Sequence, residues 1–143
     1  MRYIVATDGS EESNEAIRYA SRQAVALDAT LDIVHAIEPE AELVNGEIVL
    51  PGSEKSTAIG DETLEAGRQL AAAVADEHDT ALDVQTRLLA GRPAHAITRY
   101  AAESGADAIY VGHRGLSEQR ELSVGSVAKS VVDRASVPVT VIR

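Results

Sequence analysis

The chain has 143 residues, a net charge of −10, and no cysteine, tryptophan or phenylalanine. That length predicts one domain with a full core, and zero cysteine excludes disulfides, thiolate metal sites and cysteine nucleophiles. An acidic balance repels phosphate backbones, which argues against DNA or RNA as a partner.

Hydrophobic residues make up 45% and charged residues 25%, ordinary for a globular protein. With four tyrosines as the only aromatics, the core must be built from Ala, Val, Leu and Ile. Among the 13 basic residues only Lys55 and Lys129 are lysines. This acid-rich, lysine-poor composition suits a high-salt cytoplasm, where screening blunts self-repulsion, and equally an ordinary acidic protein. No run approaches the roughly 18 apolar residues of a membrane span, and no charged leader precedes an apolar stretch. The expectation is a soluble cytoplasmic protein without membrane contact.

Strand-like and helix-like patterns alternate along the chain. Arg2 to Thr7 is short, apolar and β-branched, and ends in Asp8-Gly9-Ser10. From Glu11 to Asp28 the apolar residues Ala16, Ile17, Ala20, Ala24 and Leu27 recur at helical spacing. Ser10 suits the N-cap, and Glu11 and Glu12 suit the dipole of the first turn. Thr30 to Ala36 reads as a second strand. Ile37 to about Ala58 is irregular and too long for a simple connector; within it Asn45-Gly46 between short apolar runs predicts a small hairpin. Thr57 to Asp79 reads as a helix with Leu64, Ala71, Val74 and Ala75 inward. Ala81 to Ala90 is the third strand. Gly91-Arg92-Pro93 breaks to a helix carrying Ala94, Ile97, Tyr100 and Ala101, because proline suits a first helical turn. Ala106 to Val111 is the fourth strand, Gly125 to Ala135 the last helix, and Val137 to Ile142 the last strand.

Strands alternating with helices mean a parallel sheet covered on both faces. The expectation is an open, doubly wound α/β/α sandwich, one domain over residues 1–143, with five parallel strands in the order 3-2-1-4-5 and four helices. In such sheets the ligand lies beyond the carboxyl ends of the strands, where strand order reverses. That puts Thr7-Asp8 and Val111-Gly112 on one edge.

The fourth strand leads into Gly112-His113-Arg114-Gly115, nine residues, then Gly125-Ser126 at the start of a helix. Backbone N–H groups delivered to a helix start are what phosphate binding requires. The string G-x2-G-x9-G-[ST] arises by chance in about one such chain in 200. The competing reading is that Gly115 and Gly125 only supply positive φ in a long turn. No G-x-x-x-x-G-K-[ST] occurs, and no G-x-G-x-x-G follows the first strand, which argues against a P-loop NTPase and a dinucleotide-binding dehydrogenase.

Here the chain resembles the universal stress protein family, whose ATP-binding members carry that same glycine string. IVATDGSEESNEAIRYA is similar to the family's first strand, aspartate and first helix. DIVHAIEP resembles its second strand, GRPAHAI the break after the third, and GSVAKSVVDRASVPVTVIR the C-terminal helix and strand. The resemblance covers nearly the whole chain and constrains Ile37 to Thr57 least. It implies that Asp8 hydrogen-bonds a ribose or helps to hold a divalent ion, that Ala36 meets adenine through its backbone, and that Thr7 lines the same wall. It implies that Gly112 and Gly115 admit the ribose and phosphates, and that Gly125, Ser126 and the Val127 N–H bind the β- and γ-phosphates.

Within the loop, Arg114 and Arg120 suit phosphate as guanidinium forks, and Arg120 equally suits pairing with Glu118 or Glu121. His113 is the one histidine placed to touch a ligand. No pair among the four histidines has zinc spacing; His35 reads as packed at a strand end, and His78 and His95 as surface residues. No G-x-S-x-G elbow surrounds Ser10, and Asp107 starts a strand at the opposite edge, so capping and structural roles suit them. The four tyrosines read as core-edge residues.

The reading is an ATP-binding (or ADP- or AMP-binding) stress regulator, with Mg²⁺ or Mn²⁺ offsetting phosphate charge on an acidic protein. No general base for water and no Walker-type lysine is visible, so rapid hydrolysis is not expected; slow hydrolysis, autophosphorylation or another ATP-using chemistry is the alternative. A protein-interaction module without nucleotide is a third, opposed by the intact glycine spacing. The apolar final strand should lie at a sheet edge and be paired. The resembled family often dimerises there, which implies a homodimer through residues 137–142 and a further protein partner for the switch.

Overall fold

In the computed structural model, the described residues are 1–37, 42–49, 54–114 and 124–143. Strand β1 (Arg2–Ala6) leads to helix α1 (Glu11–Leu27), and β2 (Thr30–Ile37) follows. A hairpin of β3 (Glu42–Val44) and β4 (Glu47–Val49) precedes α2 (Glu54–Glu77). Then come β5 (Val84–Ala90), α3 (Pro93–Ser104), β6 (Ala108–Gly112), α4 (Ser126–Arg134) and β7 (Val139–Ile142).

The main sheet has the order β5-β2-β1-β6-β7, and every neighbouring pair is parallel. The hairpin stands outside it as a separate antiparallel pair. Counting the sheet's own strands alone, the order is 3-2-1-4-5, as the sequence predicts. The hairpin turn has φ of 51° at Asn45 and 82° at Gly46. Positive φ at both positions is the geometry that Asn-Gly favours and that matches the twist of two strands.

Alternation along the strands sorts the core into two layers. Tyr3, Val5, Leu31, Ile33 and Tyr110 pack with Ala16, Ile17, Ala20 and Ala24 of α1 and with Leu64 and Ala71 of α2. On the other face, Ile4, Val34, Ile109 and Val111 meet Ala94, Ile97 and Ala101 of α3 and Ala128 and Val131 of α4. Small alanine faces let the helices sit close to strands built of branched residues, which is how a core without Phe or Trp fills its volume. Leu27 completes the apolar spacing of α1 yet is exposed. The helix ends there: Asp28 takes the left-handed conformation at φ 53°, and the Ala29 N–H turns back to the Ala24 carbonyl at 2.9 Å.

Helix α2 begins three residues before the expected Thr57 and carries two glycines, at a cost of about 1 kcal/mol each relative to alanine. Both sit at close contacts. A Cβ on Gly60 would lie 2.6 Å from Leu88 Cδ1, and one on Gly67 would lie 3.1 Å from Ile17 Cδ1 and 3.2 Å from Ile33 Cγ2. At the edge opposite the strands' carboxyl ends, Asp32 is fully buried in β2. Its carboxylate accepts from Arg2 Nη1 at 2.6 and 2.8 Å and from the Tyr100 hydroxyl at 2.8 Å. Asp107 lies at that edge too, accepting the Arg2 backbone N–H at 2.9 Å.

Candidate functional site

Strand order reverses beside β1, so the crevice at its carboxyl end is the expected ligand position. The register pairs Val5 with Tyr110, and β6 runs on to Gly112, which brings the Thr7-Asp8-Gly9 turn beside Gly112-His113. On the other side Ala6 pairs with Val34, so the second-strand exit at His35 and Ala36 shares the same edge.

The turn after β1 is held from within. Thr7 is buried; its hydroxyl lies 3.1 Å from Ser13 Oγ and accepts the Gly9 N–H at 3.2 Å. Asp8 Oδ1 accepts the Ser10 N–H at 2.9 Å, and Ser10 Oγ in turn accepts the Ser13 N–H at 3.2 Å. Gly9 has a φ of 84°, a conformation that glycine adopts without strain. Ser10 is therefore a cap, as its place in the sequence predicts. His35 is half-buried, its Nδ1 2.8 Å from the Thr7 carbonyl oxygen, so it bridges the ends of β1 and β2. Ala36 is half-buried in β2, paired in register with Leu89.

The glycine string is anchored at both ends. The Gly125 N–H donates to the His113 carbonyl at 2.5 Å, closing the end of β6 onto the start of α4. Gly125 is the N-cap of α4, in extended conformation at φ −69° and ψ 166°, with no side-chain cap hydrogen bond. With no positive φ there, the plain-turn reading does not account for Gly125. Ser126 and Val127 open the helix on the exposed side. Backbone N–H groups of a first helical turn have no acceptor within the helix, and the helix dipole favours an anion there.

Gly112 has a packing role that sequence reasoning missed. A Cβ there would lie 2.9 Å from the Glu12 carbonyl carbon, 3.0 Å from its oxygen and 3.1 Å from the Ser13 nitrogen. The glycine lets the first turn of α1 lie directly on the end of β6. His113 is buried rather than open to the crevice, and its backbone N–H donates to the Ile142 carbonyl at 2.8 Å. Its ring is turned to protein partners, with Nδ1 3.3 Å from that same carbonyl and Nε2 accepting from Arg114 Nε at 2.9 Å. Arg114 is half-buried. Gly115, Glu118, Arg120 and Glu121 lie outside the described residues. His78 and His95 are exposed, as expected of surface positions.

A model of the universal stress protein family matches residues 1–143. The chain belongs to the universal stress protein family. A universal stress protein of Thermus aquaticus is 36% identical over 140 residues, covering 98% of this chain and 96% of that one. A universal stress protein solved in complex with cAMP is 29% identical with a TM-score of 0.73, covering 100% of this chain and 96% of that one. One from Archaeoglobus fulgidus, in complex with dAMP, has a TM-score of 0.75 at 23% identity, covering 100% and 98%. Like these universal stress proteins, the chain has one five-stranded parallel sheet with helices on both faces. Among the described residues, no helix is long and apolar enough to cross a membrane.

Proposed function

We propose that this universal stress protein binds an adenine nucleotide, ATP foremost, in the crevice between β1 and β6, and that occupancy regulates a homodimer. The observation that carries the reading is the closure of Gly125 onto His113. It puts a helix start with no side-chain cap at the carboxyl edge of the sheet, next to the turn that holds Asp8. The dipole and N–H groups of a helix N-terminus favour a phosphate group. The similar protein solved with cAMP supports the adenine nucleotide class.

In this reading Thr7, Asp8 and Ala36 line the nucleoside side. Gly112, His113, Arg114, Gly115, Gly125, Ser126 and Val127 form or support the phosphate side. Asp8 is the carboxylate suited to a Mg²⁺ or Mn²⁺ ion. Among the described residues no group of three or more His, Asp or Glu gathers to hold a metal. The fit is therefore to an ion held by one carboxylate together with the nucleotide's own phosphate oxygens, the usual mode for Mg²⁺. That ion would neutralise phosphate charge beside an acidic protein.

Strand β7 ends the sheet and pairs with β6 alone. Its four residues are half-buried. A second copy pairing antiparallel across this edge would satisfy its open backbone groups. Calorimetric titration with ATP, ADP, AMP and cAMP, alongside analysis of co-purified nucleotide and the variant Gly115→Val, tests the site. Binding by the wild type and its loss in the variant supports the reading; no binding, or equal binding by both, sinks it. Light scattering at micromolar concentration tests the dimer, and a monomer in buffer of either low or molar salt refutes it.

A further inference from the structure

His113 is held on three sides. Its backbone N–H donates to the Ile142 carbonyl, its own carbonyl accepts from Gly125, and its ring is engaged at both nitrogens. The ring contacts fix its protonation pattern. Arg114 Nε carries a hydrogen and has no lone pair to offer, so His113 Nε2 must be the acceptor in the 2.9 Å contact. The hydrogen of the neutral ring then sits on Nδ1, which faces the Ile142 carbonyl. A ring buried to 7% exposure cannot swing to another rotamer without displacing its neighbours.

The consequence falls on Arg114. The contact with His113 uses Nε and not the two terminal nitrogens, which form the fork that suits phosphate oxygens. Left on its own, so long a side chain loses rotamer entropy on being fixed. The imidazole acceptor meets part of that cost in advance. We infer that His113 is the positioning residue that aims the Arg114 guanidinium at the distal phosphates of the bound nucleotide, and so sets the preference for ATP over AMP. This rests on the nucleotide reading above, and it concerns only the phosphates that AMP lacks.

Two substitutions divide the ring's functions. His113→Asn keeps a donor where Nδ1 stands and removes the acceptor for Arg114. His113→Gln extends an amide oxygen to the place of Nε2 and keeps that acceptor. Affinities for ATP and AMP, measured by calorimetry on the folded protein, give the ratio between the two nucleotides. The ratio falls about tenfold in His113→Asn and in Arg114→Gln, the loss of one charge-assisted contact. It stays within twofold of wild type in His113→Gln. The double variant His113→Asn/Arg114→Gln is no worse than either single change, because the two residues act as one unit. A merely structural role would weaken both nucleotides together, leave the ratio unmoved and make Asn and Gln alike; that pattern overturns the inference while leaving nucleotide binding intact. A wild type that binds neither ATP nor AMP overturns both. Should His113→Asn fail to fold, Arg114→Gln decides the matter, since an unchanged ratio there refutes the aiming role.

Discussion

Gly112 leaves no space for a side chain against Glu12: a Cβ at this position would stand 2.9 Å from the Glu12 carbonyl carbon. The obstacle is the backbone of the first turn of α1, which moves only if the whole helix start moves. That start also carries Ser10 and Ser13, whose hydrogen bonds hold Thr7 and Asp8 in the crevice. Gly112→Ala should therefore destabilise the protein by about 1–3 kcal/mol through overpacking. It should also weaken nucleotide binding, because the Asp8 turn shifts with the helix. Thermal melting with calorimetry on the same variant checks both; an unchanged melting temperature would show that α1 yields without cost.

Gly67 reverses an ordinary expectation. Alanine for glycine inside a helix stabilises by about 1 kcal/mol when nothing interferes. Here the added methyl would press on Ile17 and Ile33, both fully buried. Close-packed interiors absorb an extra carbon poorly, so Gly67→Ala should lower stability by about 1 kcal/mol or more. Adding Ile17→Val should restore part of the loss, since it removes the Cδ1 methyl that would stand 3.1 Å from the added carbon. Urea denaturation of the two single variants and the double variant measures the coupling.

The sheet, its order and the core faces of α1 and α2 were legible because period-2 and period-3.6 patterns follow directly from burial. Leu27 misleads on this basis: its spacing is helical, but the left-handed cap at Asp28 ends the helix before it can pack. The glycine string was legible as spacing, not as function residue by residue. Nothing in one sequence distinguishes a glycine needed for ligand approach from Gly112, needed because α1 crosses there. His113 read as a ligand contact because it stands inside the motif. Its ring partner Ile142 lies 29 residues on, a proximity set by the pairing of β6 with β7. Asp32 did carry a signal, a charged residue within the apolar run of β2, but its partners Arg2 and Tyr100 lie 30 and 68 residues away along the chain.

That buried carboxylate makes a sharp test of the fold's far edge. Asp32 is fully enclosed, whereas the Arg2 side chain is about one-third exposed at 32%. Removing either partner leaves part of a buried charge uncompensated, the costly direction for such pairs. Tyr100→Phe deletes one hydrogen bond to a charged group and should cost about 1.5–3 kcal/mol. Arg2→Met should cost about 3 kcal/mol or more. The two losses should not add, since they share one carboxylate. Nucleotide affinity should stay unchanged in both variants, because the carboxylate lies at the edge away from the crevice; a fall in affinity at constant stability would contradict this.

Alkaline pH should unfold the protein through two phenols. Both Tyr100 and Tyr110 are held above the ordinary tyrosine value of about 10. For Tyr100 the first cause is burial and the next is its hydrogen bond to the Asp32 carboxylate. For Tyr110 the first cause is again burial, followed by the neighbouring phenols of Tyr3 and Tyr19. Since the unfolded chain gives up these protons at lower pH than the folded one, stability rests on the protonated forms. Their contribution is complete below about pH 10 and is lost as pH rises through the folded-state values. Denaturation midpoints measured from pH 8 to pH 11 should fall steeply above pH 10 in the wild type. Tyr100→Phe starts from lower stability but should fall less steeply, having one fewer phenol to ionise. A parallel decline in both proteins would place the alkaline sensitivity elsewhere in the chain.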